Sequence, residues 1–236
     1  MGSTGMIQVQ GLGKKFNNDK TSEWLFRDLS FEVKENETVV FMGASGTGKT
    51  TLLKIIGGLL NPDQGKIELH NEHLSMVFQK NALFDFLTAE ENLLLPLTEC
   101  MQQTQIDAKK EAQAFLEVVG LKDSAKLFPS ELSGGMQKRL GVARALVIRP
   151  KILLYDDPTA GLDPITSKKI ADLMIKLKKQ YQSTVLIVTN DLKRATQLGD
   201  RIYLLANGKL FGGLEPNAFL GSNEPHIKQF VLGLRK

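Results

Sequence analysis

Thr38-Val39-Val40-Phe41-Met42-Gly43-Ala44-Ser45-Gly46-Thr47-Gly48-Lys49-Thr50-Thr51-Leu52-Leu53-Lys54-Ile55-Ile56 is the stretch on which the fold turns. Thr38–Met42 is an apolar run of strand type, and Thr51–Ile56 reads as a helix start. Between them Gly43–Thr50 fits G-x-x-x-x-G-K-[ST], the phosphate-cradling pattern. Strand, glycine loop and helix are the context this pattern requires. Glycines let backbone N–H groups turn inward around phosphates, and the helix N-terminus adds partial positive charge. Gly43, Ala44, Ser45, Gly46, Thr47, Gly48, Lys49, Thr50 and Thr51 are therefore expected to hold the phosphates of ATP. Lys49 would neutralise β- and γ-phosphate charge, and the Thr50 hydroxyl would ligate Mg²⁺.

Further along, Ile152-Leu153-Leu154-Tyr155-Asp156 is a hydrophobic strand that ends in an acid. A carboxylate there can hold Mg²⁺ beside Thr50. Asp157 follows at once, and could orient or deprotonate an attacking water or simply serve the turn before Pro158. Other expected strands are Ile7–Leu12, Ser30–Val33, Lys66–Leu69, Ser75–Phe78, Thr184–Thr189, Arg201–Leu205 and Lys209–Phe211. Val39–Phe41, Ile152–Leu154 and Val185–Val188 are apolar without a break, which suits parallel strands covered on both faces. Ile170, Leu173, Met174, Leu177 and Tyr181 recur at helical spacing. Ala108, Ala112, Phe115, Leu116 and Val119 do the same, with Gly120 as the expected cap. The segment from 80 to 150 reads as helical between strand-rich flanks, an α/β core with a helical insertion.

Composition sets the outer bounds. With 42% hydrophobic and 24% charged residues, the 236-residue chain has enough apolar material for a sizeable core. Its net charge of +4 is spread among interleaved acids and bases, so no nucleic-acid partner is expected. Cys100 is the one cysteine, which rules out an internal disulfide and points to a reducing compartment. His70 and His73 read as turn residues rather than zinc ligands. No apolar run approaches the ~20 residues of a membrane span, and the N-terminus reads without a secretory signal. Met1–Gly5 reads as an addition ahead of a native start at Met6, with one domain over residues 6–236.

Leu132-Ser133-Gly134-Gly135-Met136 opens a helix that Ser133 can cap, and its glycines let backbone approach an anion. Lying between the phosphate loop and the Asp156 strand, this motif resembles the signature of the ABC ATPases. The resemblance covers nearly all of residues 6–211. It implies a P-loop NTPase core with an antiparallel β subdomain and a helical insertion. It also implies a head-to-tail homodimer that sandwiches two ATP molecules, each touched by Ser133, Gly134, Gly135 and Met136 of the opposite subunit. Gln79 resembles the glutamine that senses Mg²⁺ and attacking water. Asp163, in Ala160-Gly161-Leu162-Asp163, resembles the loop that crosses the dimer interface. Phe16 stands where the family stacks an aromatic on adenine; an ordinary core Phe16, with Trp24 as stacker, is the rival reading.

The chain also departs from the family. Asp157 stands where Glu is usual, shorter by one C–C bond of roughly 1.5 Å. Asn190 stands where His is usual; its amide can donate to a γ-phosphate but cannot relay a proton. Both departures point to tight ATP binding with slow turnover. The short link between Leu69 and Gln79 is expected to make its two strands an antiparallel hairpin, turning near Asn71-Glu72-His73.

Ala125–Met136, with Met136 in place of the common Gln, resembles the Mla/MCE-type lipid-transport ATPases. Gly161–Thr166 and the tail segment Pro225–Val231 do so too. The subgroup implies an integral membrane permease partner, an MCE-domain lipid-carrying protein and a peripheral place on the cytoplasmic face of the inner membrane. It also implies a tail, residues 212–236, that embraces the opposite subunit. Rival readings are another importer-type or cell-division ABC ATPase, a DNA- or ribosome-acting ABC protein, and a regulatory module that hydrolyses weakly.

Overall fold

The computed structural model describes residues 5–18, 21–70 and 73–234. Nine strands are present among them: β1 (Ile7–Asn18), β2 (Thr21–Val33), β3 (Thr38–Met42), β4 (Gln64–Leu69), β5 (Leu74–Val77), β6 (Ile152–Asp156), β7 (Thr184–Thr189), β8 (Arg201–Ala206) and β9 (Lys209–Leu214). The helices are α1 (Lys49–Ile56), α2 (Ala89–Glu99), α3 (Gln105–Val118), α4 (Gly134–Leu146), α5 (Pro164–Tyr181), α6 (Leu192–Leu198), α7 (Pro216–Leu220) and α8 (Pro225–Leu234).

The strands form two sheets. One is three-stranded and antiparallel, in the order β2-β1-β4; the other has six strands, β5-β6-β7-β3-β8-β9. In the larger sheet only β9 runs antiparallel to its neighbour. Every residue of β3, β6 and β7 is buried, as their unbroken apolar runs require. Alternate side chains leave the sheet on opposite faces. Val39, Phe41, Leu154 and Leu186 join a core with α1 and the small sheet. Val40, Met42, Leu153 and Ile187 join a second core with the helical segment. Helix α1 is thus clamped between sheets through Leu52, Leu53, Ile55 and Ile56, each worth about 2 kcal/mol of burial. Gly120 adopts φ +67° just past α3, as a helix-ending glycine does.

One expectation is corrected. β4 and β5 do not form a hairpin: β4 pairs with β1, while β5 pairs in parallel with β6. β4 has one exposed face and belongs to the outer sheet, whereas β5 carries Met76 and Val77 into the parallel one. The turn residues Asn71 and Glu72 lie outside the described residues. At the tail, residues 225–234 form α8, which packs on this chain's own core. Ile227 and Val231 are buried in this chain's own core, and His226 stacks on Phe211 at 4.1 Å. Among the described residues no helix is long and apolar enough to cross a membrane.

Candidate active site

Three central parallel strands deliver the site at their carboxyl ends. β3 runs into Gly43–Gly48, β6 ends at Asp156 and β7 ends at Thr189. Loops at the carboxyl ends of parallel strands are where such sheets bind ligands. Here they line a cleft of about 290 Å³.

Glycine shapes the loop at two points. Gly48 has φ +96°, and a Cβ there would lie 2.8 Å from Leu25. A Cβ at Gly43 would lie 2.5 Å from the Leu205 carbonyl oxygen. Only glycine lets the backbone run this close. Lys49 Nζ donates to the carbonyls of Gly43 and Ala44 at 2.8 and 2.7 Å. Thr47 Oγ1 donates to Ala44 at 3.0 Å. Burial holds the Lys49 ammonium below the usual lysine pKa, against the opposing pull of Asp157 and Asp156.

Beneath the loop, Thr50 Oγ1 donates to Asp156 Oδ1 at 2.8 Å. Gln79 lines the same cleft. This all-oxygen donor set suits Mg²⁺, which takes few protein ligands and completes its shell with phosphate oxygens and water. Among the described residues no group of three or more His, Cys, Asp and Glu stands where it could hold a metal.

The opposite wall is built differently. Asp157 adopts φ +45°, a left-handed backbone that few residues with a side chain take. Its N–H donates to the Val188 carbonyl at 2.9 Å. Its Oδ1 accepts from Thr189 Oγ1 at 2.9 Å. Burial is the main cause that raises the Asp157 pKa; the Thr189 hydrogen bond opposes it, Asp156 adds to it, and Lys138 and Lys49 oppose it. Asn190 is exposed at the rim.

Phe16 is 56% exposed and lines the cleft, so it is no core residue. Its strand partner is Glu23, whereas Trp24 pairs with Lys15. Neighbours on a strand face opposite ways, so Trp24 leaves β2 on the Lys15 side, while it still borders an adjoining hollow with Phe16, Gly46 and Thr47. Lys15 and Arg27 lie over the Trp24 ring at 4.7 and 4.9 Å.

Comparison with known proteins agrees with this geometry. The ABC transporter family matches residues 26–160, more than half of the chain. The chain belongs to the ABC transporter ATPases. A probable amino-acid ABC transporter ATP-binding protein of Haemophilus influenzae is 34% identical, covering 96% of this chain and 95% of its own length. The intermembrane phospholipid transport system ATP-binding protein MlaF of Escherichia coli is 33% identical over 89% of this chain and 84% of its own. The ATP-binding cassette MJ0796, solved as a dimer in a post-hydrolysis state bound to ADP and Pi, superposes with a TM-score of 0.81. It is 32% identical and covers 89% of this chain and 99% of its own.

In this ABC ATPase the signature stands apart from its own chain's cleft. Ser133 caps α4, its Oγ accepting from the Met136 N–H at 3.3 Å. Asp163 caps α5, accepting from the N–H groups of Ile165 and Thr166, each at 3.0 Å. The two caps are neighbours: a Cβ on Gly135 would meet Thr166 Cγ2 at 2.8 Å, and one on Gly134 would lie 3.9 Å from Leu162. So the fold gathers Phe16, the phosphate loop, Gln79, Asp156, Asp157 and Asn190 in one place. Ser133, Gly134, Gly135, Met136 and Asp163 form a second patch outside it.

Two site residues carry no motif. Lys138 is 6% exposed, and its Nζ donates to the Gln79 carbonyl at 2.5 Å. Its spacing to Gly141, Val142 and Ala145 places it on the buried face of α4, the one signal that finds it. Thr189 closes an apolar strand and reads as an ordinary β-branched strand residue. Only its place just before Asn190 marks it.

Proposed function

We propose that this ABC ATPase hydrolyses Mg²⁺-ATP slowly to power a transporter that moves phospholipid between bacterial envelope membranes. The observation that carries the chemistry is the Thr50–Asp156 pair beside Lys49, with Asp157 lining the same cleft. Phe16 stacks on adenine, and the loop from Gly43 to Thr51 holds the phosphates. Thr50, Asp156 and Gln79 hold Mg²⁺, which offsets charge on the β- and γ-phosphates. Asp157 aims the attacking water, and Asn190 donates to the γ-phosphate. The patch of Ser133, Gly134, Gly135, Met136 and Asp163 stands away from its own cleft, which suits contact with ATP held by a second copy. That copy completes the site in a head-to-tail dimer.

Slow turnover follows from the catalytic wall. A shorter carboxylate misplaces its oxygen, and about 1 Å of error costs on the order of a hundredfold in rate. Asn190 cannot supply the charge or proton that an imidazolium supplies.

The lipid substrate is supported by Met136 in the signature and by likeness to MlaF over 89% of the chain. The same reading gives a single domain over residues 6–236, peripheral on the cytoplasmic face of the inner membrane. It docks on an integral permease joined to an MCE-domain protein. Purification from membranes, with partners and bound lipids identified, tests it. A permease, an MCE-domain protein and co-purifying phospholipid support the reading. A permease with an amino-acid-binding partner, or a ribosome or DNA complex, overturns it.

A further inference from the structure

Asp157 is tied to the end of β7 twice. Its backbone N–H donates to Val188, and its carboxylate accepts from Thr189. The second tie continues. The Asp191 N–H donates to Thr189 Oγ1 at 3.1 Å. A backbone N–H is a donor only, so the Thr189 hydroxyl accepts there and its own hydrogen points to Asp157 Oδ1. Asp191 in turn caps α6, its Oδ1 accepting from the Arg194 N–H at 3.0 Å. An unbroken run of hydrogen bonds thus joins the head of α6 to the Asp157 carboxylate through one buried hydroxyl. Thr189 is 1% exposed, so water does not compete for that hydroxyl.

We infer that Thr189 is the positioning residue that aims the Asp157 carboxylate and couples it to the loop carrying Asn190. This rests on the proposed role of Asp157. With Oδ1 held by Thr189, Oδ2 is the oxygen that receives the proton of the attacking water. The short side chain of Asp157 has few rotamers, and one strong bond from a fixed strand end selects among them. Asn190 sits between two residues of the run, so its backbone and the carboxylate move as one unit.

The test uses the full chain with Mg²⁺ and saturating ATP, with phosphate release followed for hours so that slow turnover is read. Asp157→Asn, Thr189→Val and Thr189→Ser are compared with the native chain, together with ATP affinity and thermal unfolding. Thr189→Val keeps shape and loses the hydroxyl; Thr189→Ser keeps the hydroxyl. The inference expects Thr189→Val to lower kcat by about tenfold to a hundredfold, with ATP affinity within about twofold. It expects Thr189→Ser to restore kcat to within about threefold of native. Three results overturn it: kcat of Thr189→Val within about twofold of native, equal losses in Val and Ser, or an ATP affinity that falls in step with kcat. If Asp157→Asn turns over at the native rate, the role of Asp157 itself fails, and the inference with it.

Discussion

The two walls of the cleft are built on different principles. On the phosphate wall, the backbone does the positioning: a glycine loop between β3 and α1, a lysine laid across it, and Thr50 bonded to Asp156. Its parts are contiguous in sequence apart from Asp156, and both ends are anchored in buried elements. On the wall proposed to be catalytic, side chains do the positioning. Asp157 sits at a left-handed backbone, is held by Thr189, and lines the cleft together with an exposed Asn190. The first wall keeps the family pattern in full. The second departs from it at both Asp157 and Asn190. On the proposed roles, binding and turnover are separable in this ABC ATPase, because different elements carry them.

Asp157→Asn is expected to break the second wall alone. Its kcat should fall by about a thousandfold, the span of a positioned acid–base group, with ATP affinity kept. Phosphate release and nucleotide titration read the two quantities. An equal loss in both would show that the walls are not separable.

Lys49→Ala should do the reverse. Loss of charge-assisted bonds to the phosphates is worth about 3 kcal/mol, close to a hundredfold in ATP affinity. A nucleotide titration in which affinity changes less than about threefold would contradict the role given to the phosphate wall.

Asp157→Glu sharpens the comparison from the other side. Adding one C–C bond should raise kcat by tens of fold, on the scale of about 1 Å of repositioning. Asn190→His should raise it by a smaller factor, about tenfold. Both gains should appear in kcat with KM little changed.

Far from both walls, Arg201 pairs with Glu37, donating from Nη2 to Oε2 at 2.8 Å. Burial alone would raise the Glu37 pKa, but the Arg201 and Lys34 hydrogen bonds outweigh it and hold the carboxyl below the ordinary 4.5. A depressed carboxylate pKa adds stability above the unfolded value, and this is lost as pH falls through the folded one. Arg201→Met should cost about 2 kcal/mol of stability near neutral pH. That difference should begin to shrink as pH falls below 4.5 and be lost only as pH passes through the lower value of the folded Glu37 carboxyl. Denaturant melts across pH measure it, and kcat at neutral pH should stay unchanged.

The contrast between the walls also explains what could be read from sequence. The phosphate loop, β3, β6 and β7 were legible because burial on both faces leaves an unbroken apolar run and a glycine motif has few alternatives. β1 and β2 run far beyond the expected Ile7–Leu12 and Ser30–Val33, to Asn18 and back from Thr21. Their extension is bulged, so it has no clean alternation to read. The partner of β4 was misread, because sheet membership is a long-range choice that local spacing does not record. Phe16 was placed at the cleft by resemblance, and it lines the cleft with Lys49 and Thr50 where Trp24 does not. Thr189 and Lys138 stayed silent because each acts through tertiary contacts with residues far away in sequence.

The separation of binding from turnover is tested most directly by one paired measurement: ATP affinity and steady-state turnover of the native chain beside Asp157→Glu. The account predicts equal affinities, native turnover well below about one per second, the low end of common enzymes, and a gain of tens of fold in Asp157→Glu. Native turnover already at or above about ten per second, or an Asp157→Glu chain no faster than native, would contradict it.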